Sequence, residues 1–185
     1  MNNASLVLCP LDPYWTPPDN LSLRHFLQSI QLIGQQYQNQ SLFLAGDRFL
    51  ELVAFMGCSP DIRLEPGDND RSFCSIVLQP CSASVEFHCG DHVHTPRCPR
   101  CRSPISNWQD KIVDWRDKGA GSLWKCPDCT HKASPWEFNW RRSAGFGRCF
   151  IEINDIFPKE AIPQQQLTDK LNSHYGVSWH YFYKY

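Results

Sequence analysis

Residues 98–101 read Cys-Pro-Arg-Cys, and residues 126–129 read Cys-Pro-Asp-Cys. Two cysteines separated by two residues can direct both thiolates at one ion from a tight turn, and proline at the second position restricts the backbone of that turn. Two such turns supply four soft ligands, which suits tetrahedral Zn²⁺. The sequence therefore predicts one structural zinc ion bound by Cys98, Cys101, Cys126 and Cys129.

The four cysteines have three alternative uses. Iron is an alternative to zinc, because four thiolates accept either metal. A single Cys-x-x-Cys motif can be redox-active, but two motifs with matching prolines favour a metal. A catalytic zinc usually keeps an open position and has histidine or carboxylate ligands. Four cysteines fill the coordination shell, so we expect a structural ion.

With these four cysteines, residues 94–134 resemble the zinc ribbons and related zinc-finger modules. The resemblance implies a structural ion in a module that often contacts nucleic acid or another protein, and it extends to no other part of the chain. The interval between the two motifs, residues 102–125, exceeds the ~15–20 residues of the usual pattern.

A short helix accounts for the longer interval. Ser106 and Gln109 have the spacing of a capping box, and the apolar residues that follow recur at helical spacing. A second helix is predicted to start at Ser134, after the second motif, which would make the module similar to a treble clef. Histidine at position 131 could also hydrogen-bond a thiolate.

The remainder of the chain has the patterns of an α+β domain. The first twenty residues, rich in proline, are expected to form an extended arm. The predicted elements that follow are a helix capped by Asn20 and ending at Gly34, a strand at 41–45, a helix capped by Asp47 and ending near Gly57, a hairpin of strands 73–78 and 84–88, a strand at 148–157, a helix from Pro163 to Gly176, and a strand at 177–183.

These elements predict a mixed or antiparallel sheet with flanking helices and an inserted four-cysteine zinc ribbon. Residues 1–93 would form the N-terminal part of the α+β domain, residues 94–142 the insert, and residues 143–185 a C-terminal β-α-β part of the same domain. Two small domains joined by the ribbon are the alternative. The C-terminal part is too short to fold well alone, so we prefer the single domain.

Composition points to a cytoplasmic protein. The start of the chain lacks a basic region and has only a short apolar run, so we expect no signal peptide, and no apolar run approaches the ~18 residues of a membrane span. Ten cysteines in such a protein favour metal binding and buried thiols over disulfides. The cysteines outside the two motifs are Cys9, Cys58, Cys74, Cys81, Cys89 and Cys149.

The segment around the motifs is basic and rich in tryptophan. Residues 97–142 hold ten lysines and arginines against five acidic residues, whereas the net charge of the whole chain is -1. Five of the seven tryptophans also lie here. They could stack on single-stranded nucleic acid, but packing is the interpretation we favour, because a ribbon has little core of its own.

His88, Cys89, His92 and His94 are crowded together just before the first motif and could form a second metal site. These residues could equally form a polar loop that leads into the ribbon. The sequence alone does not distinguish the two.

Two functions remain open at this point. The first is a non-enzymatic adaptor or binding protein, whose basic, aromatic insert contacts a protein or a nucleic acid. It is favoured because the chain lacks phosphate-binding loops, nucleophile elbows and metalloprotease motifs. The alternative is an enzyme in which zinc is purely structural and the pocket lies in the α+β domain. Such a pocket would be lined by polar groups such as Glu152, Asp155, His174 or His180.

Overall fold

The computed structural model describes residues 4–38, 41–56, 62–67, 73–119, 121–157 and 159–185. Its strands are β1 (Ala4–Pro10), β2 (Ile33–Gln36), β3 (Leu42–Ala45), β4 (Val53–Phe55), β5 (Ser75–Leu78), β6 (Glu86–Cys89), β7 (Trp124–Lys125), β8 (Lys132–Ala133), β9 (Ala144–Gly147), β10 (Ile151–Ile156), β11 (Ala161–Pro163) and β12 (Trp179–Lys184). Its α-helices are α1 (Asn20–Ser29), α2 (Phe49–Leu52), α3 (Trp108–Lys118) and α4 (Gln165–Tyr175). This is the predicted α+β fold.

Six strands form the main sheet, in the order β12-β1-β10-β5-β3-β2, and all neighbours are antiparallel. The sheet takes strands from both sides of the cysteine motifs, as predicted. Strand β1 lies between β10 and β12, with Leu6 opposite Ile153 on one side and Tyr183 on the other. The prediction of an extended arm is therefore wrong for 4–10. This near-continuous apolar run is typical of a strand that is buried on both faces.

The predicted strand-helix-strand unit at the C-terminus is confirmed. Strands β10 and β12 are each antiparallel to β1, so they run in the same direction, and α4 connects them. Leu167 and Leu171 bury one face of α4 in the core. Gly176 ends the helix in the left-handed conformation that glycine adopts without strain.

Several predicted boundaries are wrong. Helix α1 is capped by Asp19, which accepts hydrogen bonds from the amides of Leu21 and Ser22, and the helix ends four residues before β2 begins. Helix α2 is a single turn, because the apolar residues 53–55 pair as a strand with β11. The expected end of that helix, Gly57, lies outside the described residues.

The predicted hairpin of the fifth and sixth strands does not form. Strand β5 pairs with β3 and β10 in the main sheet, whereas β6 pairs with β9, which follows the metal segment. Phe87 of β6 lies opposite Phe146 of β9. This pairing brings the two ends of the metal segment together, and hairpin reasoning missed it because the partners are distant in sequence.

A second hydrophobic cluster surrounds the cysteine motifs, separate from the cluster under the main sheet. Trp115, Trp124 and Trp140 are buried in it, and Trp108 and Trp136 are half-buried against it. Burial supports the packing interpretation of the tryptophans. Because β6 and β9 also contribute to this cluster, the limits of the insert at residues 94 and 142 stay a prediction.

A disulfide between Cys81 and Cys149 joins the segment after β5 to the residues before β10. The expectation that these two cysteines are buried thiols is therefore wrong. Their separation of 68 residues gave no local spacing from which the pairing could be recognised. Within the described ranges, no helix has the length and apolar character needed to cross a membrane.

Candidate metal centre

Each cysteine motif occupies the tip of a short antiparallel pair. The second motif lies between β7 and β8, where Trp124 is opposite Ala133. The first is enclosed by an isolated bridge between Arg97 and Pro104. Arg97 also bridges to Asn139, which follows the 3-10 turn Pro135–Glu137. Each tip thus presents one pair of thiols.

The backbones of the two tips follow the same hydrogen-bonding scheme. In the first, the amide of Arg102 donates to the carbonyl of Cys98 at 2.9 Å, and the amide of Cys98 donates to the carbonyl of Ser103 at 2.9 Å. In the second, Thr130 donates to Cys126 at 3.1 Å, and Cys126 donates to His131 at 2.8 Å. The repetition gives the two pairs of thiols equivalent geometry.

The four sulfurs converge on one point. Sγ of Cys98 lies 3.6 Å from Sγ of Cys129, and Sγ of Cys101 lies 3.6 Å from Sγ of Cys126. All four lie within 4.8 Å of one another. A tetrahedral zinc with sulfur at 2.3 Å requires sulfur–sulfur distances of about 3.8 Å, whereas a disulfide requires about 2.05 Å. The four-cysteine group therefore fits a tetrathiolate ion and does not fit two disulfides.

The environment of the thiols is graded from buried to exposed. Cys98 and Cys126 are buried, Cys129 is half-buried, and Cys101 is exposed. Hydrogen bonds with the side chain and backbone of Ser103 lower the pKa of Cys101 to about 6. A backbone hydrogen bond from His131 lowers the pKa of Cys129, but desolvation and the neighbouring thiols outweigh it and raise that pKa to about 12. The last proton of such a group leaves readily only when a cation compensates the charge.

His131 acts through its main chain. Its carbonyl accepts the Cys126 amide and its backbone forms the hydrogen bond to Cys129 just described. The hydrogen bond to a thiolate that was predicted for residue 131 is thus made by its backbone, and the described residues show none from its imidazole. A further hydrogen-bonding partner of the thiols is Ser103, whose Oγ lies 3.3 Å from Sγ of Cys101.

The helices predicted around the motifs are found in part. Helix α3 occupies the long interval and buries Ile112 and Trp115, as predicted, but its N-cap is Asn107 and its side chains form no capping box. The second helix is reduced to the 3-10 turn. This turn begins at the predicted Ser134 and carries a capping box, with the Ser134 amide donating to the Glu137 carboxylate at 2.6 Å.

The second metal site considered from the sequence is not assembled. His88 lies between the carboxylates of Glu86 and Glu152 and stacks on Phe150. His92 packs near Tyr185, and the backbone of His94 is bound by Ser143. Within the described residues, the four-cysteine group alone meets the geometry of a metal site with three or more ligands.

The polar residues suggested for an enzyme pocket are dispersed. Glu152, Asp155 and His174 line none of the three cavities of about 440, 390 and 220 Å³ found among the described residues, and His180 borders the smallest. Nε2 of His180 lies 3.0 Å from Sγ of Cys9. Burial lowers the pKa of His180 and raises that of Cys9, so both are neutral and the thiol is not activated.

Comparison with known proteins gives no match: no family model, no curated protein sequence and no solved structure matches this chain. The function must therefore be inferred from the geometry described above.

Proposed function

We propose that this protein is a non-enzymatic binding protein, in which Cys98, Cys101, Cys126 and Cys129 hold one structural Zn²⁺ and the surface of the two cysteine tips contacts an acidic protein partner. The convergence of four sulfurs at tetrahedral spacing carries the proposal. A closed shell of four thiolates leaves no position for an activated water, which favours a structural role.

Zinc would stabilise the two cysteine tips in place of a hydrophobic core. The residues between the cysteines, Pro99, Arg100, Pro127 and Asp128, are exposed and belong to none of the hydrophobic clusters. The ion would join the two tips and hold them against the second hydrophobic cluster, to which Cys98 and Cys126 belong. Folding of this part of the chain should therefore be coupled to metal binding.

The partner surface is defined by five exposed basic residues at the tips: Arg97, Arg100, Arg102, Lys125 and Lys132. Lys125 and Lys132 are directly opposite each other across β7 and β8, an arrangement that is repulsive by itself. The described part of the chain gives none of the five an ion pair. Even with a doubly negative zinc centre and Asp128 nearby, the surface stays positive and suits an anionic partner.

A protein partner is favoured over single-stranded nucleic acid by the tryptophans. Base stacking needs exposed aromatic faces, but three of the five rings are buried and two are half-buried in the second cluster. The partner surface is therefore charged but offers bases no exposed aromatic ring on which to stack. We propose a cytoplasmic location on the basis of the four free thiols of the metal site, which a reducing compartment preserves. The disulfide between Cys81 and Cys149 is of a kind that is uncommon there and argues in the other direction.

The metal is tested first. Protein purified under reducing conditions should contain one zinc per chain by elemental analysis, and X-ray absorption at the zinc edge should show four sulfur neighbours. Iron in place of zinc would correct the identity of the metal. Absence of metal from soluble, folded protein would contradict the proposal.

The partner surface is tested by photo-crosslinking in cells. A photoreactive amino acid at position 100 should give a crosslinked product that protease removes and nuclease does not, and Lys132→Glu should reduce its yield. The same amino acid at position 48, where the native arginine is paired with Glu51, is the control. A nuclease-sensitive product would identify nucleic acid as the partner, and a yield equal to that of the control would refute the binding surface.

A further inference from the structure

The largest of the three cavities has no part in the proposed metal site. It has a volume of about 440 Å³ and lies between α1, the β2–β3 edge of the main sheet and the chain that follows β5. Gln36, Ser41 and Gln79 contribute polar atoms, and Leu21 and Leu78 contribute apolar surface. Binding sites for small molecules have volumes of about 300–1,000 Å³ and combine apolar walls with a few polar groups.

Arg24 is the charged residue of this cavity. Its Nε is buried and has no hydrogen-bond partner, and the described residues offer its guanidinium no ion pair. The central carbon of the guanidinium lies 5.1 Å from the centroid of the Phe43 ring. The lining contains no aspartate or glutamate. A positive charge thus faces a cavity whose walls carry no negative charge.

The position of Arg24 is fixed by the helix that carries it. Leu23 and Leu27 are buried in the main core, and Asp19 caps the first turn of α1. A bound water can accept a hydrogen bond from Nε, but it does not balance the charge. A carboxylate does both, because its two oxygens match the planar, forked donors of a guanidinium.

We propose that this cavity is a binding site for a small organic anion, whose carboxylate pairs with Arg24 and whose apolar body packs against Leu21 and Leu78. The ring of Phe43, which also lines the cavity, contacts the guanidinium of Arg24. The site lies on the main sheet and requires no metal. It is therefore independent of the function proposed for the cysteine tips.

Binding is tested on the full chain with phenylacetate and octanoate, two carboxylates with different apolar bodies. The Nε–Hε signal of Arg24, assigned in ¹⁵N-labelled protein by its loss in Arg24→Lys, should shift on titration with at least one of them. Titration calorimetry should show that Arg24→Gln weakens binding by about tenfold or more. Arg48→Gln, at a half-buried arginine outside the cavity that is already paired with Glu51, should bind as the unmodified protein does.

Two comparisons separate the parts of the proposal. The neutral phenylacetamide should bind at least about tenfold more weakly than phenylacetate, since it cannot balance the charge. Inorganic phosphate should bind more weakly than the better carboxylate, since it has no apolar body. Equal binding of the amide, equal binding of phosphate, or no shift with either carboxylate would overturn the proposal.

A structural role for Arg24 is excluded by a separate measurement. Arg24→Met keeps an unbranched apolar stem and removes the unpaired charge. The melting temperature of this variant, without ligand, should equal or exceed that of the unmodified protein, because binding sites are often held at the expense of stability. A marked fall would show that the arginine stabilises the fold and would refute a ligand-directed role.

Discussion

Arg102 and Thr130 occupy equivalent positions in the two cysteine tips. Both have left-handed backbones, with φ of 63° and 59°, and each donates its amide to the carbonyl of the first cysteine in its motif. The left-handed conformation lets the chain reverse immediately after the second cysteine. It is unfavourable for residues with a side chain, above all for β-branched ones such as threonine.

Replacing Thr130 by glycine should therefore stabilise the metal-loaded protein. Glycine adopts the left-handed region without steric cost, and the threonine side chain is exposed, so little packing is lost. We expect a gain of about 0.5–1 kcal/mol in the free energy of unfolding, with unchanged zinc content. Denaturant titration measures the gain. Thr130→Ala keeps the Cβ but removes the β-branch, so it should show only part of the gain, and an equal gain in both variants would contradict this explanation.

The clustering of the four cysteines was predictable because its signal is local. Two matching motifs predict both the candidate ligands and the turns that hold them, and the structure brings those four sulfurs together. Helix α3 was predictable for the same reason, since its apolar residues recur within eleven residues. The left-handed backbones of residues 102 and 130 could not be predicted from the sequence, because neither residue is a glycine that would mark such a turn.

The strand pairing was less accessible to sequence reasoning. Strands β6 and β9 are partners although the whole metal segment separates them, and β1 pairs with strands from the far end of the chain. Nothing in a short run of apolar residues specifies a partner at such a distance. The short interval between residues 78 and 84 suggested a hairpin, but β5 pairs with β3 and β10 in the main sheet instead.

Cys126→Ser should lose the metal. Serine is a poor zinc ligand, and a site with three thiolates leaves the buried neighbour Cys98 with reduced compensation. We expect less than one-tenth of the zinc content of the unmodified protein, measured by elemental analysis after dialysis. Tryptophan emission should move to longer wavelength, because the buried tryptophans of the second cluster become exposed. The control is Cys89→Ser at a half-buried cysteine outside the group. Equal metal loss in both variants would contradict the ligand assignment; Cys58, another candidate control, lies outside the described residues.

Gly145→Ala should destabilise the contact between β9 and the main sheet. A Cβ at this position would overlap the ring of Phe182, which is fully buried in β12. We expect a loss of about 1–3 kcal/mol in the free energy of unfolding, because the ring has no room to move. Gly147→Ala is a matched control two residues away, where a Cβ would meet Phe150 at an ordinary 3.4 Å. Similar losses in both variants would show that strand propensity, not the Phe182 contact, explains the effect.

The disulfide can be tested independently of the metal. Alkylation of unfolded protein without reductant should leave Cys81 and Cys149 unmodified, and mass spectrometry should show both modified after reduction. Cys81→Ala should lower the free energy of unfolding by about 2–5 kcal/mol, because the bond closes a long loop. Modification of both cysteines without reductant would show that they are thiols in the purified protein. Cys81→Ala would then lower the free energy of unfolding far less.

Glu152 should make the stability of the fold depend on pH. Its carboxylate accepts hydrogen bonds from Lys184 at 3.0 and 3.2 Å and lies 3.5 Å from Nδ1 of His88, whose other nitrogen contacts Glu86. Burial raises the pKa of Glu152, but these partners outweigh it and lower the pKa below the usual 4.5.

A carboxyl group with a lowered pKa in the folded state binds its proton more readily when the chain is unfolded. Its contribution to stability is therefore complete above pH 4.5 and is lost as the pH falls below that value. Glu152→Gln should remove about 1–3 kcal/mol at neutral pH, because it deletes an ionic hydrogen bond from a nearly buried group. The variant and the unmodified protein should converge in acid. Denaturant titrations at a series of pH values measure the free energy of unfolding of both proteins. A difference between them that stays constant with pH would show that ionisation of Glu152 does not contribute to stability.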